Sequence, residues 1–171
     1  GNNFMDHILV CDDDKAILDS VEIYLNLEGY HTIRAMNGQE ALKAVENTEI
    51  HCAILDIMMP NIDGLTATLK MREKHNFPII LLSAKSEDTD KITGLSFGAD
   101  DYVTKPFNPL ELMARVKTQL RRYKSYNQVN HIESQMYDIR GLVISKDTHS
   151  CTLYDQELSL TPLEFSILWY L

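Results

Sequence analysis

Five times between His7 and Lys105 the chain passes through a short segment of strand type, and four of the five close on a polar side chain. Val10 and Cys11 lead into Asp12 and Asp13, Ala53, Ile54 and Leu55 into Asp56, Ile79 to Leu82 into Ser83, and Tyr102, Val103 and Thr104 into Lys105. The exception, Tyr30 to Ala35, runs into Met36. Between these segments lie stretches with helical spacing. Ile17, Val21, Tyr24 and Leu25 mark one face of a helix ending near Gly29. Asn37 to Glu46 follows with Ala41, Leu42 and Val45 inward, and a third helix is expected to run to about His75 with Leu65 and Leu69 on its core face. Helices over Asp88 to Phe97 and from about Pro109 to Tyr123 complete the alternation. Strand–helix alternation of this kind predicts an α/β fold: a doubly wound five-stranded parallel sheet of flavodoxin-like order, with helices on both faces.

In such a sheet the carboxyl ends of the strands share one edge, and ligands bind where the strand order reverses, between the first and third strands. Those two end in Asp12, Asp13 and Asp56. Three carboxylates, the Ser83 hydroxyl and the Lys105 ammonium on one edge describe a magnesium-assisted phosphoryl acceptor with an aspartate nucleophile. Each residue alone has a plainer reading. Taken singly, Asp12 and Asp13 would sooner cap the first helix, Ser83 serve a turn, and Tyr102 pack in a strand. Their joint placement at strand ends favours the site.

Composition narrows the classes further. The 171 residues and 44% apolar share suffice for one ordinary domain and a fragment of another. No apolar run approaches the ~20 residues of a membrane span, and no secretory signal opens the chain, so a cytoplasmic location away from membranes is expected. Cys11, Cys52 and Cys151 are scattered in apolar contexts and read as reduced, packed thiols; the six histidines read as surface or packing residues. Residues 1–136 hold 14 basic and 20 acidic side chains, and residues 137–171 hold 2 and 5, so neither part carries the basic footprint of phosphate-backbone binding.

The strand-end set resembles the receiver domain of bacterial two-component response regulators, over residues 5–124. The run Gly98 to Phe107 and the stretch from Glu111 to Arg122 resemble the OmpR/PhoB subfamily, and Leu160 to Phe165 the opening of its winged-helix effector domain. Residues 141–144 and 165–168 resemble regulators of the vancomycin-resistance, VanR, type. The resemblance implies Asp56 as phosphoacceptor, with magnesium held by Asp13, Asp56 and the Met58 backbone carbonyl, and by Asp12 mainly through water. It implies Ser83 and Tyr102 as switch residues, Lys105 on the phosphoryl oxygens, and a cis bond before Pro106. A sensor histidine kinase would be the donor. A homodimer on phosphorylation would use Lys91, Asp100, Asp101, Glu111, Arg115 and Arg122.

Residues 125–136 are mainly polar and read as an interdomain linker. Tyr137 to Ser145, Ser150 to Tyr154 and Glu157 to Leu160 read as short antiparallel strands, and Thr161 and Pro162 as the start of a helix. Residues 137–171 are thus expected to be the first part of an effector domain cut before its recognition helix, so that promoter DNA would be bound only by the full-length protein. Two rivals are a haloacid-dehalogenase-type phosphohydrolase and a flavodoxin-like cofactor binder. The first needs a second acid two residues after the nucleophile, where Met58 stands; the second needs a Ser/Thr/Gly-rich phosphate loop after the first strand, which is missing.

Overall fold

The structure is a computed structural model that describes residues 5–84 and 88–140, with side chains described for all of these except 88–91, 130, 131 and 133–140. The element order is β1 His7–Cys11, α1 Lys15–Leu27, β2 His31–Ala35, α2 Gly38–Asn47, β3 Cys52–Asp56, α3 Gly64–Arg72, β4 Ile79–Ser83, α4 Asp88–Ser96, β5 Asp101–Thr104 and α5 Pro109–Arg140. All strand pairings are parallel, in the order β2-β1-β3-β4-β5, so chain order reverses between β1 and β3 as the alternation predicts.

Residues of β3 and β4 are buried on both faces, which is why they read as unbroken apolar runs rather than as an alternating pattern. Ile8, Val10, Ile54, Ile80 and Leu82 point to one side and pack with Leu18, Val21 and Leu25 of α1 and Leu112, Met113, Val116 and Leu120 of α5. By the pleat, Leu9, Ala53, Leu55 and Leu81 face the opposite side, covered by the other helices. Each fully buried Leu or Ile contributes about 1.5–3 kcal/mol of transfer free energy, so the central strands fix the scaffold on which the loops rest.

The helices start where side chains can satisfy their first N–H groups. Asp14 caps α1 by accepting from Ala16 N at 2.9 Å, Asn37 caps α2, Asp63 caps α3 through Thr66 N at 2.7 Å, and Asn108 accepts from Leu110 N with Pro109 as the first helical residue. The α1 cap is therefore Asp14, which frees Asp12 and Asp13 from that duty.

Two expectations change. The core face of α3 is Gly64, Ala67, Thr68 and Met71, while Leu69 is 49% exposed. Small side chains let this helix lie close to the sheet, and the Thr68 hydroxyl, donating to Gly64 O at 2.7 Å, can be buried without loss. Helix α5 does not stop near Tyr123. It continues through residues 125–136 and through Tyr137–Arg140, where a strand was expected, because no proline or glycine interrupts the sequence between Pro109 and Gly141. The chain divides into two units between Arg121 and Arg122; in the second, only this helical segment is described. The readings for residues 141–171 and the Lys91 side chain lie outside the described residues. Among the described residues no helix is long and apolar enough to cross a membrane.

Candidate phosphoryl-acceptor site

Asp12 follows β1 directly, its N–H continuing the ladder to Ala35 O at 3.1 Å, and is fully buried. One of its oxygens accepts from Asp14 N at 2.9 Å, which ties the site to the start of α1; the other accepts from Lys105 Nζ at 2.8 Å. Asp56 ends β3, is 4% exposed, and lies 3.4 Å from Lys105 Nζ and 3.4 Å from Met58 N. Asp13 completes the group from an exposed position. Ligand oxygens of Asp12, Asp13 and Asp56 all lie within 4.8 Å of one another, the one candidate metal cluster among the described residues.

Burial, and next the Asp12 charge, push the Asp56 carboxyl above its ordinary value, with Lys105 opposing them. Burial pulls Lys105 down, but the Asp12 hydrogen bond and the Asp56 charge more than offset it, so the ammonium is held charged. Three crowded carboxylates with one lysine are short of positive charge. Their hard oxygens suit an ion such as magnesium, which takes one or two carboxylates and keeps several waters.

Ser83 ends β4, nearly buried, and its carbonyl accepts from Lys105 N at 2.6 Å, so the serine and lysine strand ends are joined through backbone. The Lys105–Pro106 bond is cis. Tyr102 sits half-buried on β5, and Met58 is 71% exposed beside Asp56. Four of the six residues expected at a dimer face are engaged within the chain. Arg115 pairs with Asp101 at 2.8 Å and Glu111 at 3.2 Å, and Asp100 pairs with Arg72 at 2.6 Å, while Arg122 is exposed on α5.

Gly64 is a further determinant that strand-end reasoning passes over. A Cβ at this position would collide with the backbone carbonyl of Asp56, and backbone cannot yield as a flexible side chain does. Gly64→Ala is expected to cost about 1–3 kcal/mol of stability by overpacking and to displace Asp56. Denaturant titration beside phosphoryl-uptake measurements would check both effects; a variant equal to wild type in each would show that the loop is slack. Cys11, donating to Asn37 O at 3.2 Å, is buried close by, and burial pushes its thiol up to about 12, so it is no nucleophile.

The family model of the response regulator receiver domain matches residues 8–117. The chain is 52% identical over 163 residues to the regulatory protein VanR of Enterococcus faecium, covering 95% of this chain and 71% of that protein. It is 40% identical to the transcriptional regulatory protein SrrA of Staphylococcus aureus, covering 96% and 69%. Among solved structures, a Francisella response regulator receiver domain aligns with TM-score 0.66 and 37% identity, over 68% of this chain and 98% of that one. The beryllofluoride-activated DrrB receiver domain aligns with TM-score 0.64 and 36% identity, over 69% and 99%. Nothing in these likenesses supports the dehalogenase alternative. The strand-end carboxylates, the sheet order and these relatives agree: the chain belongs to the response regulator receiver family and is a VanR-like, phosphorylation-controlled response regulator.

Proposed function

We propose that Asp56 is the phosphoryl acceptor and that its phosphorylation, by a sensor histidine kinase, drives homodimerisation and so controls DNA binding by the effector domain of the full-length protein. The observation that carries this reading is the gathering of Asp12, Asp13 and Asp56 within 4.8 Å, with Lys105 2.8 Å from Asp12 and 3.4 Å from Asp56. A carboxylate oxygen of Asp56 attacks phosphorus; the new P–O bond forms as the P–N bond to the donor imidazole breaks, and the electron pair leaves with that nitrogen. Lys105 contacts the transferring oxygens and offsets their charge. Magnesium, held by Asp13, Asp56 and the Met58 carbonyl, and by Asp12 through water, would supply the remaining neutralisation of charge. The side chain two residues after the nucleophile, Met58, cannot act as a general acid or base, so the chain catalyses no more than its own phosphoryl uptake and slow loss.

The phosphoryl oxygens recruit the Ser83 hydroxyl, and Tyr102 turns inward, altering the face of α4, β5 and α5. Incubation with magnesium and acetyl phosphate should add one phosphoryl group, and peptide mapping should place it on Asp56. A label on any other residue would overturn the assignment.

The dimer is tested separately. Glu111→Lys should weaken phosphorylation-dependent dimers by removing the attraction to Lys91 of a second copy, and Lys91→Glu added to it should restore part of the loss. Rescue is expected to be incomplete because Glu111 also pairs with Arg115 in its own helix, 3.2 Å away, and the new lysine would face that arginine. Sedimentation at several concentrations reads the result; dimers indifferent to both changes would point to another face.

A further inference from the structure

The last residue of α3, Arg72, has no part in the proposed phosphoryl chemistry, yet it is among the most heavily bonded side chains of the receiver. Its Nε donates to Gly98 O at 2.8 Å, and its Nη1 to Phe77 O at 2.7 Å and to His75 O at 3.4 Å. These carbonyls fix a planar fork in place. What remains of the fork, Nη2, meets Asp100 Oδ2 at 2.6 Å.

Asp100 is held by that one oxygen. Oδ2 also accepts from Ile79 N at 2.8 Å, while Asp100 N donates to Ile79 O at 2.8 Å, so the carboxylate is pinned against the start of β4. The other oxygen, Oδ1, makes no hydrogen bond among the described residues, and the side chain is 36% exposed. Its neighbour Asp101 is spent within the chain, on Tyr102 N at 2.8 Å and Arg115 at 2.8 Å. Burial holds the Asp100 carboxyl above its ordinary value, and Arg72 is the largest influence opposing that.

We infer that Arg72 is a positioning residue for the dimer face: by locking Oδ2 of Asp100 it presents Oδ1 to a cationic side chain of a second copy of this chain. This rests on the proposed dimer and adds the device that orients one of its acids. A free aspartate would lose side-chain entropy on pairing across an interface; one already clamped by a guanidinium and a backbone N–H has lost it on folding.

The test is sedimentation of the whole chain with magnesium and beryllofluoride as the phosphoryl mimic, for Arg72→Met, Asp100→Asn and the double variant. In a symmetric dimer each change acts twice, so loss of one exposed ion pair should weaken dimerisation about tenfold. If Arg72 acts through Asp100, the double variant should be weakened by about the same factor as either single one and not by their product. Arg72→Lys, which keeps the charge without the fork, should fall between wild type and Arg72→Met. Arg72→Met should still take up a phosphoryl group from acetyl phosphate, which separates lost positioning from lost folding; Asp100→Asn, which keeps an acceptor for Ile79 N, provides the comparison if Arg72→Met melts early. Multiplying effects, or a dimer indifferent to Arg72→Met, would overturn the inference alone. A wild-type chain that stays monomeric with the mimic would overturn it together with the dimer reading.

Discussion

Asp56→Asn is expected to take up no phosphoryl group from magnesium and acetyl phosphate, and at neutral pH without magnesium to melt a few degrees above wild type. Loss of the nucleophile explains the first result; electrostatics explains the second. Asp56 is 4% exposed, next to fully buried Asp12, and its carboxyl is held above the ordinary value by burial first and by Asp12 second. A carboxyl whose folded pKa is raised binds its proton more tightly in the folded state, so the charged form costs stability at all pH values above that folded pKa. The amide carries no charge and removes the cost. The gap between variant and wild type should close as pH falls through the raised pKa towards the ordinary carboxylate value of 3.8. Magnesium should narrow it at neutral pH by stabilising wild type more than the variant. Intact mass and thermal melts over a pH series read both effects. Retention of the full mass gain in Asp56→Asn would falsify the acceptor assignment, and a variant less stable than wild type at neutral pH would contradict the charge argument.

The sheet and the strand-end cluster are legible in sequence for the same reason. Strands such as Cys52–Asp56 and Ile79–Ser83, buried on both faces, must be apolar throughout, so the first polar residue after each run marks the edge where the sheet stops and a site begins. Helix α3 is less legible, because its inward face is chosen for closeness to the sheet; Gly64, Ala67 and Thr68 carry little hydrophobic signal, while exposed Leu69 carries much. Polar contacts made by loop backbone are not legible at all. The Arg72 clasp depends on carbonyls of Phe77 and Gly98, which have no side-chain signature. His7, His31 and His51, scattered in the chain, become neighbours with ring centroids 5.3 and 5.4 Å apart, because His7 and His31 are partners in the parallel register and His51 donates its N–H to His7 O. That proximity follows from strand order, which no single segment encodes.

Lys105→Met should separate two roles that the lysine combines. In the structure its ammonium is the cation bonded to Asp12 at 2.8 Å, and it stands 3.4 Å from Asp56. In the proposed transfer the same ammonium would meet the phosphoryl oxygens as the bond to the donor breaks. Removing one such preorganised donor costs roughly 10²–10³ in rate, so uptake from acetyl phosphate should slow by about that factor while the acceptor remains chemically intact. Magnesium binding should change in the opposite direction. With the ammonium gone, Asp12 and Asp56 lose their counter-charge, their mutual repulsion grows, and an added divalent cation no longer competes with a resident monovalent one. The variant should therefore bind magnesium more tightly than wild type, and lose stability when the metal is chelated. Calorimetric titration with magnesium and time-resolved intact mass give the two readouts. Uptake within a few-fold of wild type would remove Lys105 from the transfer step. Weaker magnesium binding would mean that the lysine helps build the metal site and does not compete with it.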